Sequence, residues 1–358
     1  MRIGFLFLSL CCCLAGSQAI AQETATADEQ ARFLAGLPVD GTPLEPLSRS
    51  FAWQQHAERL GSAWRKLETQ QLMPIGAWST RYLADAATER RPLFYLFSGP
   101  DFLYAHAFFP NASTYVLCGI EPVGSLPDVT RLPNEAMAPS LQMLSQSLGS
   151  VLSFSFFITK EMKVQLEETR LSGILPVLYV FLARSGCHLD EVRLVGLDRD
   201  GKLVDGKAAT PGVRIVFTSS GARPPQTLYY FSSDLSDGPA DKSGFLPWCH
   251  ALGEGNSFLK AASYLMHGGN FHTVRKFLLA HSRTIVEDES GIPVKYFDPA
   301  EWRLRLFGAY PGPIELFKQH VQPSLKELYR QSNPPPLYFG FGYPWRPSES
   351  TLIVAEKK

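Results

Sequence analysis

The sequence predicts an α+β fold: a helix-rich N-terminal half, a central antiparallel β meander, and a mixed C-terminal half returning strands to the same core. Three observations predict it. Helical and strand-like segments come in clusters, not in the strict alternation of a doubly wound sheet. At the centre, Asp198-Arg199-Asp200-Gly201 and Ser219-Ser220-Gly221 separate three apolar segments, a hairpin signal. The strand-like segments beyond residue 283 are too few and too short to make a sheet of their own.

Taken in order, the chain opens on Arg2, an apolar run over 3–14, and Ala19-Ile20-Ala21 before Gln22. That is the grammar of a secretory signal peptide, and it predicts export to the periplasm or the medium after cleavage near Ala21. Cys11, Cys12 and Cys13 raise a lipid anchor as the lesser reading, because Leu10 and not a small residue precedes Cys11. Residues 22–44 are expected as a flexible arm, with a short helix at 27–34. Residues 45–358 are expected as one α+β domain, with a sub-boundary near 186 or 233–243.

Ser48 or Ser50 caps a helix over 48–72, in which Phe51, His56, Leu60, Trp64 and Leu67 recur at helical spacing. A strand at 92–97 is stopped by Ser98-Gly99-Pro100-Asp101. A helix over 102–109 closes at Pro110, and a strand follows at 114–120. Helices are expected over 136–156 and 171–183, the second with Pro176 early enough to be tolerated. The meander takes strands at 189–197, 213–218 and 227–232, and a polar loop spans 233–243. Helices at 256–266 and 271–282 lead to strands at 283–286, 302–307, 337–341 and 351–355, with a helix at 323–329 among them.

Bulk properties exclude more than they assign. Lys plus Arg equals Asp plus Glu at 34 each, and removal of 1–21 takes only Arg2, leaving 33 − 34 = −1. Such a chain has no electrostatic reason to seek nucleic acid. The apolar runs at 151–158 and 174–183 are roughly half of the ~20 residues that a membrane span needs, so no transmembrane segment is expected beyond the leader. Cys118, Cys187 and Cys249 lie too far apart for a cysteine framework and are read as buried thiols.

Three constellations carry candidate chemistry. Ser98 and Asp101 sit where a strand runs into a loop, with Asp101 either a helix cap or a functional carboxylate. Ser263 and His267 are spaced four apart, and Gly268-Gly269, Asn270 and His272 follow; the plain reading is a helix corner with Asn270 capping the next helix. Glu287-Asp288-Glu289-Ser290-Gly291 ends a strand and reads either as a solvated acidic turn or as a catalytic or cation-binding group. The candidate catalytic set is therefore Ser98, Asp101, His267 and Asp288, and the candidate metal set is His267, His272 and Glu287.

Three segments carry a resemblance: Phe97-Ser98-Gly99-Pro100-Asp101, Tyr229-Tyr230-Phe231-Ser232 and Glu287-Asp288-Glu289-Ser290-Gly291-Ile292-Pro293. With them the chain resembles a family of exported bacterial proteins with no assigned activity. The resemblance spans most of the chain beyond the leader and implies export, but supplies no reaction, cofactor, ligand or catalytic residue. Two classes stay open. The favoured one is a non-catalytic envelope protein that binds a small ligand or an envelope component. The alternative is a hydrolase, metal-assisted or not, using Ser98, Asp101, His267 and the acidic turn 287–289.

Overall fold

A computed structural model describes residues 24–154, 171–206, 208–219 and 224–358. The expected leader at 1–21 and the last residues of the helix expected over 136–156 lie outside the described residues. The class is α+β. Its strands are β1 (Pro92–Tyr95), β2 (Thr114–Gly119), β3 (Cys187–Leu197), β4 (Leu203–Asp205), β5 (Thr210–Ser219), β6 (Gln226–Ser232), β7 (Gly255–Leu259), β8 (Ser282–Glu287), β9 (Trp302–Gly308) and β10 (Thr351–Lys357). They form one ten-stranded sheet in the order β4-β3-β5-β6-β2-β1-β7-β8-β10-β9.

The central meander is present: β3 pairs antiparallel with β4 and β5, and β5 with β6. β10 runs antiparallel between β8 and β9. Between these two antiparallel flanks lies what clustering in the sequence does not announce. β6, β2, β1, β7 and β8 are mutually parallel neighbours. Parallel strands need crossovers, and helices cover both faces accordingly. Alternation along each strand divides the core. Leu93, Tyr95, Tyr115 and Leu117 face the layer that holds the Phe51–Leu67, Phe102–Phe108 and Leu175–Arg184 helices. Phe94, Leu96, Val116 and Cys118 face the layer of the Phe245–Ala251 and His272–His281 helices.

Four expectations need correction. Residues 27–44 are not a loose arm: Thr26 closes a capping box on the helix Ala27–Leu34, and Ala31, Phe33, Leu34 and Leu44 are fully buried. Residues 256–266 are not a helix. The segment Gly255–Leu259 is β7, buried throughout between β1 and β8, and such a strand shows no period-2 signature to set against a helical one. Residues 337–341 bury Leu337, Phe339 and Phe341 but expose Tyr338 and are unpaired as a strand, because the Gly340 and Phe341 amides donate to the Gln71 and Ser350 side chains. The helix expected over 48–72 spans Phe51–Leu67 and runs through a wide turn at Glu68–Leu72 into a further helix, Met73–Tyr82. Among the described residues no helix is long and apolar enough to cross a membrane. Cys118, Cys187 and Cys249 are free and buried.

Candidate functional site at the carboxyl edge of the parallel strands

Chain order reverses between β1 and β7. From β1 the next strand lies on one side, at β2, while β7 and β8 are laid down on the other. In open sheets with parallel strands such a switch point leaves a crevice outside the carboxyl ends, where ligands are usually held. Here the chain fills it with its own side chains.

Asp101 follows β1, and Lys260 is the first residue after β7. Lys260 Nζ lies 2.6 Å from Asp101 Oδ2, and both side chains are almost wholly buried. The Tyr95 hydroxyl donates to the same oxygen at 3.0 Å. The other carboxylate oxygen accepts the Tyr104 amide, so Asp101 does cap the helix Phe102–Phe108. The Tyr104 ring centroid is 3.4 Å from Lys260 Nζ, a cation–π contact in a dry setting. Burial pushes the Lys260 ammonium below its ordinary range, and the charges of Asp101 and Asp288 push it back. Burial and the Asp101 carboxylate hold the Tyr95 phenol well above its ordinary range.

Ser98 belongs to the same loop. Its hydroxyl donates to the Gly99 carbonyl at 2.7 Å and accepts the Cys118 amide at 3.2 Å, clipping the loop to β2. Glu121, beyond β2, is buried, and the Tyr230 hydroxyl donates to both its backbone carbonyl and its carboxylate.

The acidic turn is not solvated: Glu287, Asp288 and Glu289 are all buried. β8 lies inside the sheet, so its carboxyl end is covered by the loop after β7 and by the chain near Gly342. Asp288 accepts the Ala261 amide on one oxygen and the Ser290 amide and hydroxyl on the other. Gly342 has φ +76°, and a Cβ there would come within 2.2 Å of Asp288 Oδ2, so this close approach requires glycine. Glu287 accepts the Ile292 amide at 2.8 Å, while its second oxygen is buried without a hydrogen-bond partner among the described residues. Burial raises Glu287 well above the usual carboxylate range. Glu289 accepts the Tyr264 hydroxyl at 2.9 Å, and burial with the neighbouring Asp288 pushes it up to about 8.

Between these groups runs a strained loop. Ala261, Ser263 and Tyr264 have φ of 52°, 52° and 55°, a region that costs a non-glycine residue roughly 1 kcal/mol or more each. Ser263 and His267 therefore share no helical face. The loop is held by the Asp288 and Ser290 side chains on the Ala261 and Ala262 amides, and by the Tyr343 hydroxyl, which accepts the Ser263 amide and donates to the Ala261 carbonyl. Tyr343→Phe removes the last anchor. The expected loss is about 1 kcal/mol in a urea or thermal melt, since the Ser263 amide and the part-buried Ala261 carbonyl lose a partner.

Outside the loop lies a cavity of about 260 Å³, lined by His267, Lys295, Gln319, His320 and the start of the helix Pro323–Ser332. The Tyr264 ring stacks on His320, and the His267 ring stands edge-on to both. Burial, with His320 as the next cause, drops His267 to about 4. His267 Nε2 is buried without a hydrogen-bond partner among the described residues. A second, larger groove of about 770 Å³ lies in the helical layer, lined by Met73, Gly76, Leu103, His106 and Arg184 among others.

The structure thus gathers Asp101 with Asp288, through Lys260, and sets His267 beside Glu289 through a backbone hydrogen bond. It does not assemble the metal set. His272 Nδ1 bonds Asp237, which also accepts the Thr273 amide and so caps the helix His272–His281 in place of Asn270. Among the described residues no group of three or more His, Cys, Asp or Glu is arranged to hold a metal ion. Lys260, Tyr95, Tyr264, Tyr343, Lys295 and His320 were missed. Lys260 gave one usable signal, a lysine directly after five residues that alternate poorly but bury well; the aromatic partners gave none.

No protein family matches the chain, and neither a curated protein nor a solved structure matches it.

Proposed function

We propose that the chain is an exported, non-catalytic protein of the cell envelope that takes a small ligand at the carboxyl edge of its parallel strands. One observation carries the reading. Asp101, Lys260 and Asp288 are engaged in burial with one another and with neighbouring groups, while the cavity beside them is lined by His267, Lys295, Gln319 and His320. A hydrolase needs a nucleophile within reach of a base. The Ser98 hydroxyl donates to a backbone carbonyl, and Asp101 pairs with a lysine. Export rests on Arg2, the apolar run, Ala19-Ile20-Ala21 and the resemblance to exported bacterial proteins.

The test pairs two measurements on the purified exported protein. A panel of small charged and neutral solutes is screened by thermal shift, and a panel of chromogenic esters by turnover. The expected result is a saturable rise in melting temperature with one solute class, worth about 2.7 kcal/mol at a hundredfold excess over Kd, and no turnover. Ester turnover lost in both Ser98→Ala and His267→Gln would overturn it in favour of the hydrolase.

A further inference from the structure

The geometry points to a phosphate-sized oxyanion, free or as the head of a small monoester, as the ligand of the cavity between His267, Lys295 and His320. This rests on the small-ligand reading and names its chemistry. The volume of about 260 Å³ is below what drug-sized organic ligands occupy and suits a small ion with part of its water. Among the described residues no carboxylate lines it. Lys295 makes no ion pair among the described residues, and its ammonium lies 5.1 Å from the Tyr296 ring centroid.

The surrounding field has one sign. The charged side chains that act on His267 are His320, Lys295 and Arg275, all cations or potential cations. Glu289, whose backbone bonds His267, turns its carboxyl to Tyr264, and burial pushes that carboxyl up to about 8. Tyr264, also in contact with both imidazoles, is uncharged at neutral pH. The helix Pro323–Ser332 adds its positive end, since Pro323 and Ser324 line the cavity. Its N-cap, Gln322, makes no capping bond, because its side chain accepts the Val294 amide and donates to the Glu289 carbonyl. His267 belongs to the cavity wall, and its Nε2 is buried there without a hydrogen-bond partner among the described residues. An anion in the cavity favours the protonated form of that ring. Binding is then linked to proton uptake and strengthens as pH falls from neutrality.

Isothermal titration of the full exported chain with inorganic phosphate tests this at low ionic strength and about pH 6, with sodium chloride as control and glycerol 3-phosphate as a second arm. The expected result is saturable phosphate binding, absent with chloride and weaker at neutral pH. Lys295→Gln and His320→Gln, both at accessible positions, should each lower affinity by about tenfold, with far-ultraviolet circular dichroism unchanged. Tighter binding of glycerol 3-phosphate identifies a monoester head as the source, and equal or weaker binding a free oxyanion. No saturable binding of either, or binding indifferent to both substitutions, overturns the inference. A neutral solute that stabilises the protein while neither anion binds would leave the small-ligand reading standing and end this one.

Discussion

Replacing Lys260 with Met is expected to cost about 3–5 kcal/mol of folding stability, because it strands a buried carboxylate. Lys260 Nζ is the cationic partner of Asp101 Oδ2, and neither side chain has more than 2% exposure. Asp101→Asn should be nearly as costly, by removing the carboxylate charge 2.6 Å from Lys260 Nζ, with deprotonation of the lysine setting an upper limit. The second variant discriminates between roles. Asn caps a helix about as well as Asp, so if the bond to the Tyr104 amide were all that Asp101 did, Asp101→Asn would melt like the wild type. The double variant Asp101→Asn with Lys260→Met should recover part of the loss, since replacing both members of a buried pair is far milder than breaking it. Urea melts of the three variants measure this. Wild-type stability in Lys260→Met would show that the pair is not formed in the folded protein.

The second large effect is on pH dependence. The folded pKa of Glu289 is raised to about 8, against an unfolded value of about 4.3. Below the unfolded value both states hold the proton. As pH rises, the unfolded chain releases it first, so stability is lost progressively up to about 8. Glu287 and Asp288 are shifted in the same direction and add to the slope. His267 acts oppositely: its folded pKa is lowered to about 4, so its contribution is present above the unfolded value of about 6.5 and lost as pH falls. The carboxylate slope is therefore unopposed by His267 between about 6.5 and about 8. Melting temperature should fall across that window, each group contributing up to about 1.4 kcal/mol per pH unit. Glu289→Gln keeps an acceptor for the Tyr264 hydroxyl and cannot ionise. It should flatten the slope and be more stable than wild type at the alkaline end. A slope unchanged in Glu289→Gln would mean that this carboxyl titrates normally.

Local signals carried the meander, because Asp198-Arg199-Asp200-Gly201 makes its own turn: Asp198 accepts the Asp200 and Lys202 amides, and Gly201 sits at φ +81°. Local signals also carried Ser50 and Asp101 as caps. What escaped the sequence was long-range. β7 is five residues buried on both faces, so its hydrophobicity has no period, and missing it hid the whole parallel centre. The acidic turn was visible as residues but not as burial, since its cover comes from Gly342 and Tyr343, more than fifty residues downstream. Ser263 and His267 looked like helical neighbours because three left-handed residues without glycine are not foreseeable from composition. Residues 22–44 looked polar enough to be loose, yet Phe33 and Leu34 are enough to dock the short helix.

Side-chain nitrogen resonances of the histidines, followed by NMR while phosphate is added, test most directly whether the ligand sits at the carboxyl edge. His267 and His320 line the small cavity there, whereas His106 lines the larger groove in the helical layer. Saturable shifts are expected at His267 and His320, with His267 moving toward its protonated form and His106 still. Shifts at His106 with His267 and His320 unmoved would place binding in the other groove and contradict it.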